Sequence, residues 1–196
     1  MMYRIINIIS KIKCFIFSKI KCKNNKWTYE EECKAFEEDC RKRGVRIGTG
    51  CEINRNTSFG SEPYLISLGN KVRTTYGVKF ITHDGGLWGV RNMVGEYKNI
   101  DLFGSIKVGN NVHIGMDSII MPGVTIGNNV IIGCGAIVTK DIPDNSVAVG
   151  VPAKVIESID EYITKHKENY MFTKQLNYVD KKTYLQKNMK INEDNN

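Results

Sequence analysis

The side chains best suited to proton transfer in this sequence are three histidines, His83, His113 and His166. An imidazole titrates near neutral pH, so it can take a proton from a weakly acidic group and later return it. His83 follows Thr82 and stands at the start of a long segment, residues 85–104, that interrupts a sequence repeat. Long excursions from a regular repeat are more often functional than ornamental. We therefore predict that His83 is a general base.

Metal chemistry is not predicted. The cysteines include no Cys-x-x-Cys pair, which argues against zinc ribbons and thioredoxin-like motifs. A catalytic zinc site needs three protein ligands, and only His83 and His113 lie within the repeat. We expect reduced thiols in a cytoplasmic protein, because no secretion signal is recognised. The cysteines are Cys14, Cys22, Cys33, Cys40, Cys51 and Cys134.

A six-residue repeat organises the middle of the chain. From Val108 onward every sixth residue is aliphatic, glycine often follows it, and the residue four places later is small or β-branched. A helix repeats every 3.6 residues and a strand every two, so neither explains a period of six. The aliphatic series is Val108, Ile114, Ile120, Ile126, Ile132 and Val138.

The repeat predicts short strands joined by tight corners. Each hexapeptide forms one side of a triangular prism, and three hexapeptides make one turn, as in other solenoids. Val108 then stacks under Ile126, and the next two aliphatic pairs stack in the same way. The pairs Asn110-Asn111 and Asn128-Asn129 fall one turn apart. Asparagine tolerates left-handed φ, so we expect both pairs at corners.

Additions flank this coil. Thr28 and Glu31 form a capping box for a helix before it, and Ser158 with Glu161 forms a second one after it. Earlier coils are less regular and break at residues 60–67. The predicted organisation is an N-terminal arm at 1–26, a helix at 27–44, the coil at 45–157 with the insertion 85–104, and a C-terminal helix and tail at 158–196.

The charge is concentrated in the N-terminal arm. Residues 1–26 hold seven of the 28 basic side chains and no acidic one, which leaves 21 basic and 21 acidic residues elsewhere. A nucleic-acid-binding domain usually spreads its basic residues over the folded surface, so that class is excluded. The arm also has helically spaced apolar residues. Either it packs on protein, or residues 1–24 dock on the inner face of an anionic membrane.

These motifs resemble those of hexapeptide-repeat acetyltransferases. The resemblance is carried by the repeat, by VTKDIPDNSVAVGVPAKVI at 138–156 and by ITHDGG at 81–86. The chain is similar to sugar O-acetyltransferases such as maltose and galactoside acetyltransferases. Its segment THDGGLWGVRN resembles the corresponding segment of capsular and exopolysaccharide acetyltransferases. The resemblance covers about residues 45–160. It implies an all-β left-handed parallel β-helix with N-terminal and C-terminal helical additions, assembled as a homotrimer with active sites between subunits.

The resemblance also implies acetyl transfer from acetyl-CoA to a sugar hydroxyl, without a metal. His83 would take the hydroxyl proton and return it to the CoA thiolate, and Glu96 is the candidate supporting carboxylate. The Met116 backbone N–H would stabilise the oxyanion, since a methionine side chain cannot donate. The positions that match cofactor contacts are Met116, Cys134, Thr139, Lys140 and Lys154.

The acceptor is expected to be a saccharide, in surface polysaccharide modification. Trp88 offers a stacking face and Arg91 suits a carboxylated sugar. Asp84 and His113 are further acceptor candidates, although a corner role for Asp84 and an outward-facing role for His113 remain open. N-acetylation of an aminosugar or antibiotic is the alternative activity. A non-enzymatic scaffold would not need His83, Lys140 or the insertion.

Overall fold

The computed structural model describes residues 28–189, and its centre is a coil of short parallel strands on three faces. Face 1 has the strand order β1-β3-β6-β9, face 2 the order β13-β12-β10-β7-β4-β2, and face 3 the order β11-β8-β5. The strands are β1 Arg46–Ile47, β2 Glu52–Ile53, β3 Ile66–Leu68, β4 Arg73–Thr74, β5 Lys79–Phe80, β6 Ile106–Val108, β7 Val112–Ile114, β8 Ile119–Ile120, β9 Thr125–Ile126, β10 Val130–Ile132, β11 Ile137–Val138, β12 Ser146–Val149 and β13 Lys154–Ser158.

The register confirms the predicted aliphatic columns. Val108 pairs with Ile126 on face 1, and Ile120 pairs with Val138 on face 3. Each strand lies beside the strand of the previous turn, and all neighbours are parallel except the last pair, β12 and β13. This arrangement fits the left-handed parallel β-helix that the repeat and the resemblance imply.

The core runs along the inside of the prism. The repeat aliphatics are at most 5% exposed, and burying such a side chain contributes roughly 1.5–3 kcal/mol. Phe59 stacks on Phe80 with ring centroids 5.1 Å apart, so the aromatic pair continues the column of face 3 into the irregular first coil. The two breaks in the repeat therefore leave the core continuous.

Asparagine ladders close one corner of the prism. The Asn70 backbone N–H donates to the Asn110 side-chain oxygen at 2.8 Å, and the Asn110 N–H donates to Asn128 at 2.9 Å. Asn111 and Asn129 adopt φ of 55° and 54°, as predicted for these corner residues. Their side-chain amides also bond to each other at 2.9 Å. Polar corner groups are thus satisfied turn upon turn.

The helix before the coil, α1, spans Tyr29–Lys42. The predicted capping box is present: the Glu31 N–H donates to the Thr28 hydroxyl, and the Glu31 carboxylate accepts from the Thr28 N–H. Cys40 is the buried residue of this helix, and burial raises the pKa of its thiol to about 12, so the thiol stays protonated. A second helix, α2 at Leu87–Met93, lies inside the insertion.

Residues 160–189 belong to a separate compact unit. Helix α3 spans Ile159–His166 and begins where the Ser158 and Glu161 pattern predicts. Helix α4 at Tyr178–Asn188 was not predicted, although Asn177 caps it by accepting from the Asp180 N–H at 3.0 Å. Within residues 28–189, no helix combines the length and apolar character needed to cross a bilayer. The predicted arm at 1–26 and the end of the tail lie outside the described residues.

Candidate functional site

His83 sits at the base of the insertion, where the chain leaves face 3. The Thr82 carbonyl accepts from the Gly104 N–H, and the Asp84 N–H donates to the Leu102 carbonyl, both at 2.9 Å. These bonds clamp the two ends of the insertion on either side of His83. The His83 side chain is 48% exposed, whereas Thr82 is fully buried. The fold therefore fixes the backbone and leaves the imidazole open to a ligand.

A carboxylate that the sequence did not single out lies against this imidazole. The Glu62 Oε2 atom is 3.3 Å from His83 Nδ1. The same oxygen accepts from the Thr82 hydroxyl at 2.8 Å and from the Ser61 hydroxyl at 2.9 Å. The ring of Phe103 is also close, with its centroid 6.3 Å from that of the imidazole.

The surroundings of Glu62 favour its ionised form. Burial by itself raises the pKa of this carboxyl, but hydrogen bonds from Thr82, Ser61 and His83 outweigh it. The pKa of Glu62 consequently lies below its ordinary value. A partly buried, ionised carboxylate thus lies beside the candidate base at neutral pH.

The other acidic candidates lie elsewhere. Glu96 is exposed in the turn Gly95–Tyr97, and it is not among the side chains that the structure places against His83, which are Ser61, Glu62 and Phe103. The Asp84 carboxylate accepts from the Gly86 N–H at 2.8 Å, which fits the corner role. The signal that could have found Glu62 is the break in the repeat at residues 60–67, which contains it.

The insertion is held in shape by an ion pair. The Arg91 guanidinium lies 2.6 Å from the Asp101 carboxylate and donates to the Ile100 carbonyl at 3.0 Å. These contacts join α2 to the returning end of the insertion, so they account for Arg91 without a ligand. Trp88 projects from the same helix and is 70% exposed. An exposed indole of this size is available for a partner or a ligand.

Four of the residues predicted to bind acetyl-CoA lie along the two edges of face 3. Met116 and Cys134 stand at one edge in successive coils, where the Gly135 N–H donates to the Met116 carbonyl at 2.7 Å. Thr139 and Lys140 stand at the other edge. By strand register Lys140 lies two coils beyond Thr82, about 10 Å along the axis. All four side chains are exposed.

Lys154 lies where the chain passes from face 3 to face 2. The Ala153 N–H donates to the Ile137 carbonyl at 2.8 Å, so the chain runs beside β11 of face 3 just before the exposed Lys154 begins β13 of face 2. His113 lies within face 2, in register with Arg73. Burial and the Arg73 charge lower the pKa of His113. Within one chain, His113 and His83 thus stand on different faces of the prism.

Two cavities open on face 2. One, of about 480 Å³, lies between α1 and strands β2 and β4, and another, of about 360 Å³, surrounds His113. His83 lines neither of them, so their size does not mark the catalytic centre. In the described part of the chain, no three acidic, histidine or cysteine side chains are grouped so that they could hold a metal ion.

Comparisons with known proteins agree with this architecture. The family model described as bacterial transferase hexapeptide (six repeats) matches residues 105–140. Protein CapG of Staphylococcus aureus is 57% identical over 159 residues, which cover 80% of this chain and 90% of that protein. The galactoside O-acetyltransferase of Escherichia coli K12 is 55% identical over 56 residues, covering 29% of this chain and 28% of that enzyme.

A solved structure is also similar. A hexapeptide-repeat-containing acetyltransferase of Vibrio cholerae, complexed with acetyl coenzyme A, superimposes with a TM-score of 0.52 at 26% identity. The match covers 59% of this chain and 60% of that one. The chain thus spans nearly all of CapG but less than two thirds of the galactoside enzyme and of the Vibrio protein.

Proposed function

This chain belongs to the hexapeptide-repeat acetyltransferases, enzymes that take the acetyl group from acetyl-CoA, and we propose that its acceptor is a sugar hydroxyl. The single observation that carries the proposal is the open imidazole of His83. It stands on a rigid backbone at the base of the insertion, on the edge of face 3 that also carries Lys140. The proposed base, His83, and a lysine that can pair with a phosphate of CoA, Lys140, thus share one edge of the prism.

The reaction follows from these positions. His83 takes the proton of the acceptor hydroxyl as its oxygen attacks the thioester carbonyl, which an alcohol cannot do unaided at neutral pH. The tetrahedral oxyanion would be stabilised by a backbone N–H. The candidate is Met116, which stands at the opposite edge of face 3 from His83 and would therefore come from a neighbouring subunit. When the carbon–sulfur bond breaks, the imidazolium returns its proton to the CoA thiolate. The products are the acetyl ester and free CoA, and no metal takes part.

The donor would lie along face 3. Lys140 and Lys154 can each pair with a phosphate, although a lysine lacks the bidentate geometry of arginine. Thr139 lies on the same edge of face 3 as Lys140, and Cys134 lies on the opposite edge. Because His83 and His113 face different ways in one chain, a single site that uses both needs two subunits. We propose a homotrimer in which the insertion of one subunit reaches the neighbouring prism.

The acceptor class rests on the exposed aromatic side chains of the insertion that His83 precedes. Trp88 and Phe103 are both exposed, and sugars commonly present an apolar face to such rings. We place the enzyme in the modification of a surface polysaccharide, on cytoplasmic substrates. The basic arm at 1–24 would hold it near a membrane-linked acceptor. Arg91 and Asp84 contribute to the acceptor site only through the shape of the insertion.

We expect Trp88→Ala to raise the KM for the saccharide about tenfold while leaving the KM for acetyl-CoA unchanged. Loss of one stacking face removes about 1 kcal/mol or more of binding to the acceptor alone. Steady-state kinetics with each substrate varied in turn measure both constants. Phe172→Ala removes an even more exposed ring from the separate 160–189 unit and serves as the control. An unchanged saccharide KM would remove Trp88 from the acceptor site.

The experiment that tests the function is acetyl-CoA-dependent thiol release against a panel of acceptors. Release with hydroxyl-bearing saccharides supports O-acetylation and identifies the acceptor class. Release only with amines moves the assignment to N-acetylation of an aminosugar or antibiotic. Binding of acetyl-CoA without release, across monosaccharides and oligosaccharides alike, would count against small soluble acceptors.

A further inference from the structure

We infer that Glu62 is the positioning residue of the catalytic base: it binds the Nδ1–H of His83 and thereby leaves Nε2 as the nitrogen that takes the acceptor proton. The inference rests on the proposed role of His83 and assigns the supporting carboxylate to Glu62 instead of Glu96. Of the two imidazole nitrogens, Nε2 is then the one that takes the acceptor proton and returns it.

The contacts of Glu62 are those of an orienting group. Its side chain is only 16% exposed, and its Oε2 atom collects three neighbours, namely Thr82, Ser61 and His83. Thr82 is fully buried and adjoins His83 in sequence, so the carboxylate is anchored to the same rigid strand end that carries the imidazole. A side chain held in this way restricts the rotation of the ring beside it.

The tautomer of His83 follows from which of its neighbours can donate a hydrogen bond and which can only accept one. Because the hydrogen bonds hold the pKa of Glu62 below its ordinary value, the carboxylate is ionised and can only accept. The Ser61 hydroxyl donates to that carboxylate, so toward the imidazole it too can only accept. The neutral His83 must therefore carry its hydrogen on Nδ1. The lone pair then lies on Nε2, at the end of the ring that points away from Glu62.

The chain departs from its repeat to build this contact. Gly60 adopts φ of +63°, and Pro63 is buried at the start of a short 3₁₀ turn that spans Pro63–Leu65. A Cβ at Gly60 would lie 3.2 Å from the Phe80 carbonyl oxygen, so the turn passes close to the strand that leads to His83. The break at 60–67 thus turns Glu62 toward the prism edge, where a regular hexapeptide would continue along the face.

A carboxylate at Nδ1 also matters during the reaction. When Nε2 takes the hydroxyl proton, the ring becomes an imidazolium, and the adjacent negative charge stabilises it. The proton then leaves from Nε2 to the CoA thiolate, and Nδ1 keeps its own hydrogen throughout. Glu62 itself neither gains nor loses a proton.

The test compares Glu62→Gln with Glu38→Gln, an exposed residue of α1 that serves as the matched control. Glu62→Gln keeps the shape of the side chain but removes the charge. We expect kcat to fall about 10- to 100-fold, the loss of one charge-assisted hydrogen bond, with little change in either KM. Glu62→Asp should recover part of the rate.

A purely structural role would lower thermal stability without lowering kcat of the folded enzyme, and that outcome overturns the inference. So does a larger loss in Glu96→Gln than in Glu62→Gln. Should Glu62→Gln fail to fold, nitrogen-15 NMR of histidine-labelled wild-type enzyme decides, with the His83 signal identified by its absence in His83→Ala. Protonated Nδ1 supports the inference, and protonated Nε2 refutes it. His83→Ala separates the two claims: if it is active, the proposed base is wrong, whereas an inactive His83→Ala with an active Glu62→Gln removes only Glu62.

Discussion

Replacing His83 with alanine is expected to lower acetyl transfer about 1000-fold while acetyl-CoA binding persists. A positioned base contributes a factor of about 10²–10⁴ to such a reaction, and the other histidine of the coil, His113, lies on face 2. His83 is half exposed, so its removal leaves no cavity in the core. Thiol release measures the rate, and calorimetry with acetyl-CoA measures the binding that should be retained.

His166→Ala is the matched control, because that histidine belongs to the separate 160–189 unit and contacts Tyr162 there. It should act at the wild-type rate. Circular dichroism and thermal melting of His83→Ala should match the wild type. A His83→Ala enzyme that keeps more than a tenth of the wild-type rate would show that the base lies elsewhere.

The coil could be predicted because its sequence signal and its physical cause are the same. A triangular prism places an inward side chain every six residues, and Val108 and Ile126 are aliphatic for that reason and pair in the structure. The corners follow similarly, since Asn111 and Asn129 take the left-handed φ that asparagine tolerates. The capped start of α1 at Thr28 is a local pattern and needs no tertiary information.

The neighbours of His83 could not be predicted in this way. Glu62 lies 21 positions before His83 and inside a break, where the period gives no register. The contact depends on how the chain bends at Gly60 and Pro63, which a repeat pattern does not encode. The resemblance alone implies Glu96, and its catalytic role stays a prediction beside the contact that Glu62 makes. His113 shares the repeat with the donor residues, yet the register sets it on another face.

The same close stacking that gives the site its rigidity sets a strict limit on side chains at one corner. Gly48, Gly69, Gly109 and Gly127 follow the aliphatic residues of face 1 in successive coils. A Cβ on any of them would approach an atom of the next coil within 2.4, 2.5, 2.6 or 2.2 Å respectively. For the first three the nearest obstacle is a backbone carbonyl oxygen of the next coil, and for Gly127 it is a side-chain oxygen of Asp144. A hydrogen-bonded backbone cannot give way as a side chain does.

Gly109→Ala is therefore expected to destabilise the protein by about 3 kcal/mol or more, the upper range of overpacking. Its Cβ would lie 2.6 Å from the Gly127 oxygen and 2.7 Å from the Gly127 carbonyl carbon. In a coil the strain spreads to both neighbouring turns, since each turn contacts only the ones beside it. The melting temperature should fall by roughly 10 °C for a chain of this size.

Gly89→Ala provides the contrast, because it makes the same substitution in helix α2 with nothing within 4 Å of the new Cβ. There alanine should be neutral or stabilise the helix by up to about 1 kcal/mol, through better helix propensity. If Gly109→Ala melts at the wild-type temperature, the coils can separate to admit a methyl group. The close stacking of successive turns would then not be what holds His83 and Lys140 at fixed distances along one edge.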